Sequence, residues 1–181
     1  MANNFSLPNG KLVASSVKDA LSASEPHSVF AIVATGGTTN FGIVDDLRGI
    51  GEIAKTNNIW YHIDGAYGLA GILSPKYRHL FDGSELADSF IVDPHKWLFA
   101  PYDACALVYR NPELARETHT QHASYLETLH DDSWSPSDYA IHLTRRVRLA
   151  ILVLTSSPRH KRLYRSSRRR YSPGQRIRQT N

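Results

Sequence analysis

Asp64 and Lys96 are the two side chains best suited to do chemistry together, because each follows a short apolar run typical of a buried strand. Singly, each has an ordinary explanation: an aspartate after a strand often caps a turn or helix, and a loop lysine usually faces solvent. Together they offer an amine that can form a Schiff base with an aldehyde and a carboxylate that can keep a pyridine nitrogen protonated. An enzyme that uses pyridoxal phosphate (PLP) needs both groups beneath one flat ring.

Alternating strands and helices are predicted to position this pair. Apolar runs predict strands at 29–34, 59–64, 89–92 and 104–109. Helices are predicted over 11–24, from an N-cap at Asp45 through Asn57, and over 113–118. The first strand, helix and second strand make a βαβ unit, which is normally parallel. We therefore expect an α/β domain with its ligand at the carboxyl ends of the strands, and Lys96 in a loop after the third strand.

Four sequence blocks follow one another along the chain and contain or flank the pair. They are Ala34-Thr35-Gly36-Gly37-Thr38-Thr39, His62-Ile63-Asp64-Gly65-Ala66-Tyr67-Gly68, Ala87-Asp88-Ser89 and Asp93-Pro94-His95-Lys96-Trp97-Leu98. This string resembles the group II PLP-dependent decarboxylases, which include the aromatic-L-amino-acid, histidine and glutamate decarboxylases. The resemblance covers roughly residues 10–148. It implies a partial large domain of a fold-type-I PLP enzyme, with a mostly parallel sheet and flanking helices.

The resemblance also implies roles for the matching residues. Lys96 would form the Schiff base with PLP, and Asp64 would pair with the pyridinium nitrogen. Ala66 would pack against one face of the ring, and Thr39 would lie near its edge. His95 would sit beside the Schiff base. The implied reaction is loss of carbon dioxide from an L-amino acid to give an amine, with no metal involved.

Asp93 and one tyrosine complete the candidate set. Asp93 would lie near the cofactor phosphate, where two anions repel unless a proton or cation intervenes. In this family a tyrosine on a mobile loop often helps to protonate the α-carbon. Tyr125 and Tyr139 both lie in the right region, and Tyr139 is the weak candidate because it precedes an Arg-Arg pair that the family also shows. His62 and His122 are left unassigned, since such histidines are more often structural or solvated.

Charge divides the chain into two parts. Nine of the 21 Lys and Arg residues lie in 149–181, which contains no acidic residue, so all 17 acidic residues precede it. We therefore divide the chain into a partial PLP-binding domain at 1–148 and a basic tail at 149–181. The tail has no hydrophobic periodicity and is expected to be disordered or translated out of the ancestral reading frame.

Composition and the resemblance together lead to expectations about the cellular location of the chain and about its stability and activity. The chain has no run of 18 or more apolar residues and no secretory pattern, and its single cysteine, Cys105, fits a reducing compartment, so a cytoplasmic location is expected. The resemblance implies that the upstream part of the family's large domain is not contained in this sequence. We therefore expect the chain alone to be poorly stable and at most weakly active, with the family's homodimer in doubt.

Three alternatives remain open. Another fold-type-I PLP enzyme, such as an aminotransferase, a lyase or a cysteine desulfurase, would share an aspartate and a lysine at similar positions; amine or keto-acid products would discriminate them. The tail alone would support salt-dependent binding to nucleic acid or another anionic surface, although no recognition module accompanies it. The chain could also be a pseudogene-like product without a function of its own.

Overall fold

A four-stranded sheet organises the chain. The computed structural model describes residues 8–100, 102–119 and 139. The strands are β1 (Ala31–Thr35), β2 (Trp60–Asp64), β3 (Ser89–Val92) and β4 (Ala106–Tyr109), and they lie in that order across the sheet. The first three run parallel and β4 runs antiparallel to β3. The predicted mostly parallel sheet is confirmed, and the carboxyl ends of β1, β2 and β3 meet at one edge.

In the described residues, four α-helices and several short 3₁₀ segments accompany the strands. The helices are α1 (Ala14–Ser22), α2 (Leu47–Thr56), α3 (Pro94–Trp97) and α4 (Pro112–His119). The 3₁₀ segments are Pro8–Gly10, Leu69–Leu73, Arg78–Phe81 and Ser84–Leu86. The prediction of a loop around Lys96 is wrong at the local level, because α3 is one helical turn with Pro94 in its first turn. Proline favours that position because its missing N–H would have no partner there.

One face of the sheet packs against α2 to form the core. Tyr61 and Ile63 of β2 are 1% and 0% exposed, and Ile50 of α2 is 0% exposed. The Tyr61 hydroxyl donates a hydrogen bond to the Leu47 carbonyl at 2.9 Å. Burial raises the pKa of Tyr61 well above its ordinary value, and the nearby acidic charges of Asp45 and Asp46 add to the shift. The phenol therefore stays neutral and serves as a buried donor.

The N-cap prediction for α2 is off by one residue. Asp46, not Asp45, is the N-cap, and its Oδ1 accepts a hydrogen bond from the Gly49 backbone N–H at 3.1 Å. The Asp45 side chain instead accepts from the backbone N–H groups of Leu12 at 2.8 Å and Thr35 at 2.6 Å. Sequence alone does not separate two adjacent aspartates, because both lie near the start of the helix. Asp45 therefore ties the end of β1 to the chain that precedes α1.

The opposite sheet face is more open. Val33 of β1 and Leu107 of β4 are 57% and 48% exposed on it. Asp64 shares this face with His62 and Trp60, since side chains alternate along a strand. Among the residues that the structure describes, no helix is long and apolar enough to cross a membrane.

Candidate cofactor site

The ends of β2 and β3 bring the loops of Asp64 and Lys96 together. Asp64 pairs in register with Ile91 of β3. Two backbone hydrogen bonds extend this pairing past the strand ends: Gly65 N–H donates to the Ile91 carbonyl at 3.1 Å, and Asp93 N–H donates to the Ala66 carbonyl at 3.2 Å. The prediction that the two loops rise from neighbouring strand ends is therefore confirmed as a matter of topology.

Asp64 is the exposed end of β2. Its Oδ1 accepts a hydrogen bond from the Ala66 backbone N–H at 3.2 Å, which fixes the carboxylate over the turn that follows. Ala66 is half-buried directly beside it. This turn places an exposed carboxylate next to a small, half-buried side chain.

The Gly-Thr-Thr loop after β1 is joined to this turn by close backbone contact. Gly36 N–H donates to the Asp64 carbonyl at 2.7 Å. A Cβ on Gly68 would lie 2.5 Å from the Gly37 Cα, so neither glycine tolerates a side chain there. Gly37 also has φ +108, a conformation that side-chain-bearing residues rarely adopt. Thr39 lies two residues further on in this loop and is exposed.

Lys96 forms an ion pair with Asp93 across one turn of α3. Its Nζ lies 2.8 Å from Asp93 Oδ2, and the side chains are 36% and 12% exposed. Burial of Asp93 alone would raise the pKa of its carboxyl. Hydrogen bonds from Lys96 and Cys105, together with the charges of Lys96 and His95, outweigh burial and lower that pKa. The site therefore holds its aspartate ionised in a largely enclosed position.

His95 is fixed beside the same carboxylate. Its Nδ1 lies 2.6 Å from the Ala104 carbonyl, which can only accept, so Nδ1 carries a proton. The other nitrogen, Nε2, lies 4.0 Å from Asp93 Oδ2. The Tyr102 ring meets the imidazole edge-on with centroids 5.2 Å apart. These contacts hold the imidazole ring in one orientation, with Nε2 toward the carboxylate of Asp93.

Aromatic packing ties α3 to the Asp64 turn. The rings of Tyr67 and Trp97 meet edge-to-face, with centroids 5.5 Å apart and planes at 88°. Trp97 is 8% exposed, so it anchors the turn that carries Lys96. Both aromatics lie in the sequence blocks, but neither was assigned a part in the site, because the contact joins two separate loops.

His62 belongs to a polar row that the sequence prediction left unassigned. The Ser89 hydroxyl lies 2.8 Å from His62 Nδ1 and accepts a hydrogen bond from Trp60 Nε1 at 3.0 Å. Burial lowers the pKa of His62, and the charge of Asp64 partly opposes that shift. The imidazole is thus neutral near pH 7. The signal available in the sequence was the two-residue alternation that places Trp60, His62 and Asp64 on one face.

Of the remaining candidates, Tyr139 is half-buried. Tyr125, His122 and the whole 149–181 tail lie outside the residues that the structure describes. Within those residues, no group of three His, Cys, Asp or Glu side chains is arranged to hold a metal ion.

Comparison with known proteins identifies relatives of this arrangement. Residues 6–155 match the family described as the pyridoxal-dependent decarboxylase conserved domain. An aromatic-L-amino-acid decarboxylase from Bacillus atrophaeus is 37% identical over 122 residues, which are 66% of this chain and 25% of that protein. A 4-hydroxyphenylacetaldehyde synthase from Rhodiola rosea is 32% identical over 140 residues, 76% of this chain and 28% of that protein.

Solved structures agree with the sequence comparison. The crystal structure of Oryza sativa TDC with PLP and tryptamine superimposes with a TM-score of 0.77 and 25% identity, and the match covers 87% of this chain and 34% of that one. The chain thus spans about a quarter to a third of the length of the relatives it matches.

Proposed function

Because the chain belongs to the pyridoxal-dependent decarboxylase family, we propose that it supplies the lysine-bearing part of a PLP-dependent amino-acid decarboxylase. The observation that carries the proposal is the meeting of the Asp64 turn and the Lys96 turn at adjacent parallel strand ends, joined by the Asp93-to-Ala66 hydrogen bond. Open α/β sheets bind ligands at this edge. The exposed carboxylate and the half-exposed amine are the two groups that the cofactor chemistry requires.

The residues present fit PLP in the chemistry that they offer. Lys96 provides a primary amine for a covalent link to the aldehyde, and Asp64 provides an anion for the pyridine nitrogen. Ala66 adds a small apolar surface beside Asp64 against which a ring can lie. When bound, PLP supplies an electron sink for the carbanion left by loss of carbon dioxide. Asp64 would keep that sink effective by holding the ring nitrogen protonated.

The other site residues have supporting parts in the proposal. His95 is oriented with Nε2 4.0 Å from Asp93 Oδ2, the oxygen that also contacts Lys96, so it would lie near a group bound to the lysine. Thr39 would lie at the ring edge because its loop is joined to the Asp64 turn. Asp93 near the phosphate and Tyr139 as a proton donor stay predictions from the resemblance.

The substrate class follows from the family. We propose an L-amino acid, bound as a small molecule, with the amine as product. The relatives include one protein named as a decarboxylase and one named as an aldehyde synthase, so product analysis decides between amine and aldehyde. A homodimer and a cytoplasmic location are likewise proposals for the whole protein.

Cofactor binding is the first test. The full chain is mixed with PLP, and absorbance is recorded for the native protein, Lys96→Ala, Asp64→Asn and Lys55→Ala. Lys55 is an exposed lysine on α2 and serves as the matched control. We expect a lysine-dependent band in the native and Lys55→Ala proteins, no such band in Lys96→Ala, and weaker binding in Asp64→Asn. A band that survives Lys96→Ala would overturn the assignment.

Product analysis is the second test. The cofactor-loaded chain is incubated with a panel of L-amino acids, and amine, aldehyde and keto acid are separated by mass spectrometry. Carbon dioxide with amine supports decarboxylation. A keto acid formed without carbon dioxide would instead favour an aminotransferase.

A further inference from the structure

The carboxylate of Asp93 lies in position to hold the side-chain amine of Lys96 by an ion pair. Their 2.8 Å contact is the short, charge-assisted kind, and the carboxylate is 12% exposed. An enclosed carboxylate that loses its cationic partner is costly, because little solvent remains to stabilise the charge. Lys96 at 36% exposure is the more exposed member of the pair.

No helix-capping hydrogen bond competes for the side chain of Asp93. Asp93 occupies the N-cap position of α3, but its side chain makes no capping hydrogen bond. The backbone itself is held by Asp93 N–H donating to the Ala66 carbonyl and by Lys96 N–H donating to the Asp93 carbonyl at 2.9 Å. The carboxylate is thereby aimed along α3 at the side chain three residues later.

Lys96, His95 and Cys105 are the groups of the described chain that act on this carboxylate. His95 Nε2 approaches the same oxygen, Oδ2, at 4.0 Å, and its orientation is fixed by the Ala104 carbonyl. Cys105 adds a hydrogen bond from the segment before β4. Lys96 has the exposed side chain that can turn away from Asp93, whereas the His95 ring is held by the Ala104 carbonyl.

We propose that Asp93 is a positioning residue that stores Lys96 as a hydrogen-bonded ammonium in the cofactor-free protein and restrains its release. The effect on cofactor loading rests on the proposed function, since the amine must lose a proton and leave Asp93 before it can join an aldehyde. The storage of the amine does not depend on that function. Asp93 and an incoming aldehyde therefore compete for one nitrogen.

Lysine reactivity in the cofactor-free chain tests the storage. The native protein, Asp93→Asn and Asp82→Asn are treated with limiting acetic anhydride near neutral pH, and acetylation of each lysine is quantified by mass spectrometry. Asp82 is an exposed aspartate and is the charge-matched control. Lys18 and Lys55, exposed on α1 and α2, are internal references.

We expect Asp93→Asn to raise acetylation of Lys96 about three- to ten-fold relative to the reference lysines, because the amine loses the charged partner that holds it at 2.8 Å. Asp82→Asn should leave the ratio unchanged. An unchanged Lys96 ratio in a folded Asp93→Asn protein would overturn the proposal. No cofactor is present, so this result is independent of the proposed decarboxylase function.

A second variant, Lys96→Gln, tests the same ion pair if Asp93→Asn does not fold. In Lys96→Gln the Asp93 carboxyl, followed by carbon NMR, should titrate at a higher pKa than in the native chain, because the largest opposing contact is gone and burial remains. An unchanged titration would contradict the pairing. With PLP added, Asp93→Asn should also bind the cofactor faster than the native protein. Equal rates of cofactor binding would limit Asp93 to a structural role and refute the proposal that it restrains release of the Lys96 amine.

Discussion

Replacing Asp45 with Asn is expected to destabilise the chain by about 2–3 kcal/mol, although the two side chains have nearly the same shape. Asp45 is 8% exposed, and its two oxygens accept from different backbone N–H groups: Oδ1 from Leu12 and Oδ2 from Thr35. An asparagine keeps one oxygen but turns the other acceptor into an NH₂ donor. One backbone N–H would then face a donor in an enclosed position.

The magnitude follows from the cost of that mismatch. A hydrogen bond to a charged group contributes about 1.5–3 kcal/mol, and leaving a buried donor unpaired costs about 1–3 kcal/mol. Thr35 ends β1 and pairs in register with Asp64, so the mismatch strains the strand that supports the candidate site. Asp45→Ala removes both acceptors and should cost more, about 3–5 kcal/mol.

Urea denaturation followed by circular dichroism measures the effect, and Asp46→Asn is the matched control. Asn is as good an N-cap as Asp, and the second oxygen of Asp46 accepts only a long bond, 3.4 Å from the Ala14 N–H, so Asp46→Asn should cost less than about 1 kcal/mol. If Asp45 were instead the N-cap, the order of the two variants would be reversed. Equal midpoints for Asp45→Asn and the native protein would refute the reasoning.

Three further predictions use the same measurement. Gly68→Ala should destabilise the chain by about 1–3 kcal/mol and weaken PLP binding, because its Cβ would overlap the backbone of Gly37; native-like stability would contradict this. Tyr61→Phe should cost about 1 kcal/mol, since the buried carbonyl of Leu47 loses its donor, and a neutral effect would show that water replaces the hydroxyl. Folding lowers the pKa of Asp93, so the ionised carboxylate stabilises the chain above its ordinary pKa, and this stabilisation is lost as the pH falls below about 4. The stability of Asp93→Asn should therefore fall less steeply than that of the native protein below about pH 4. Parallel acid profiles of the two proteins would contradict this.

The sheet was predictable from the sequence because its strands are short apolar runs between polar turns. The third strand was predicted over 89–92 and is observed as Ser89–Val92. The second strand was predicted one residue too early, since Ile59 precedes the observed start at Trp60. Burial on one or both faces makes such runs recognisable without knowledge of the fold.

The contacts within the candidate site were not predictable from the sequence. Spacing and resemblance pointed to Lys96, Asp64 and Asp93, yet the pairing of Lys96 with Asp93 depends on the helical turn that begins at Pro94. A loop prediction hides that pairing, because only a helix brings residues three apart to the same side. The close approach of Gly37 and Gly68 joins two distant loops and has no local signal.

Mapping the covalent cofactor adduct tests the central claim most directly. The full chain is incubated with substoichiometric PLP, reduced with borohydride and digested, and each lysine-containing peptide is analysed by mass spectrometry. The account predicts that the adduct concentrates on the peptide containing Lys96 and that Asp64→Asn lowers its yield. An adduct spread evenly over Lys96 and exposed lysines such as Lys55 and Lys76 would contradict it.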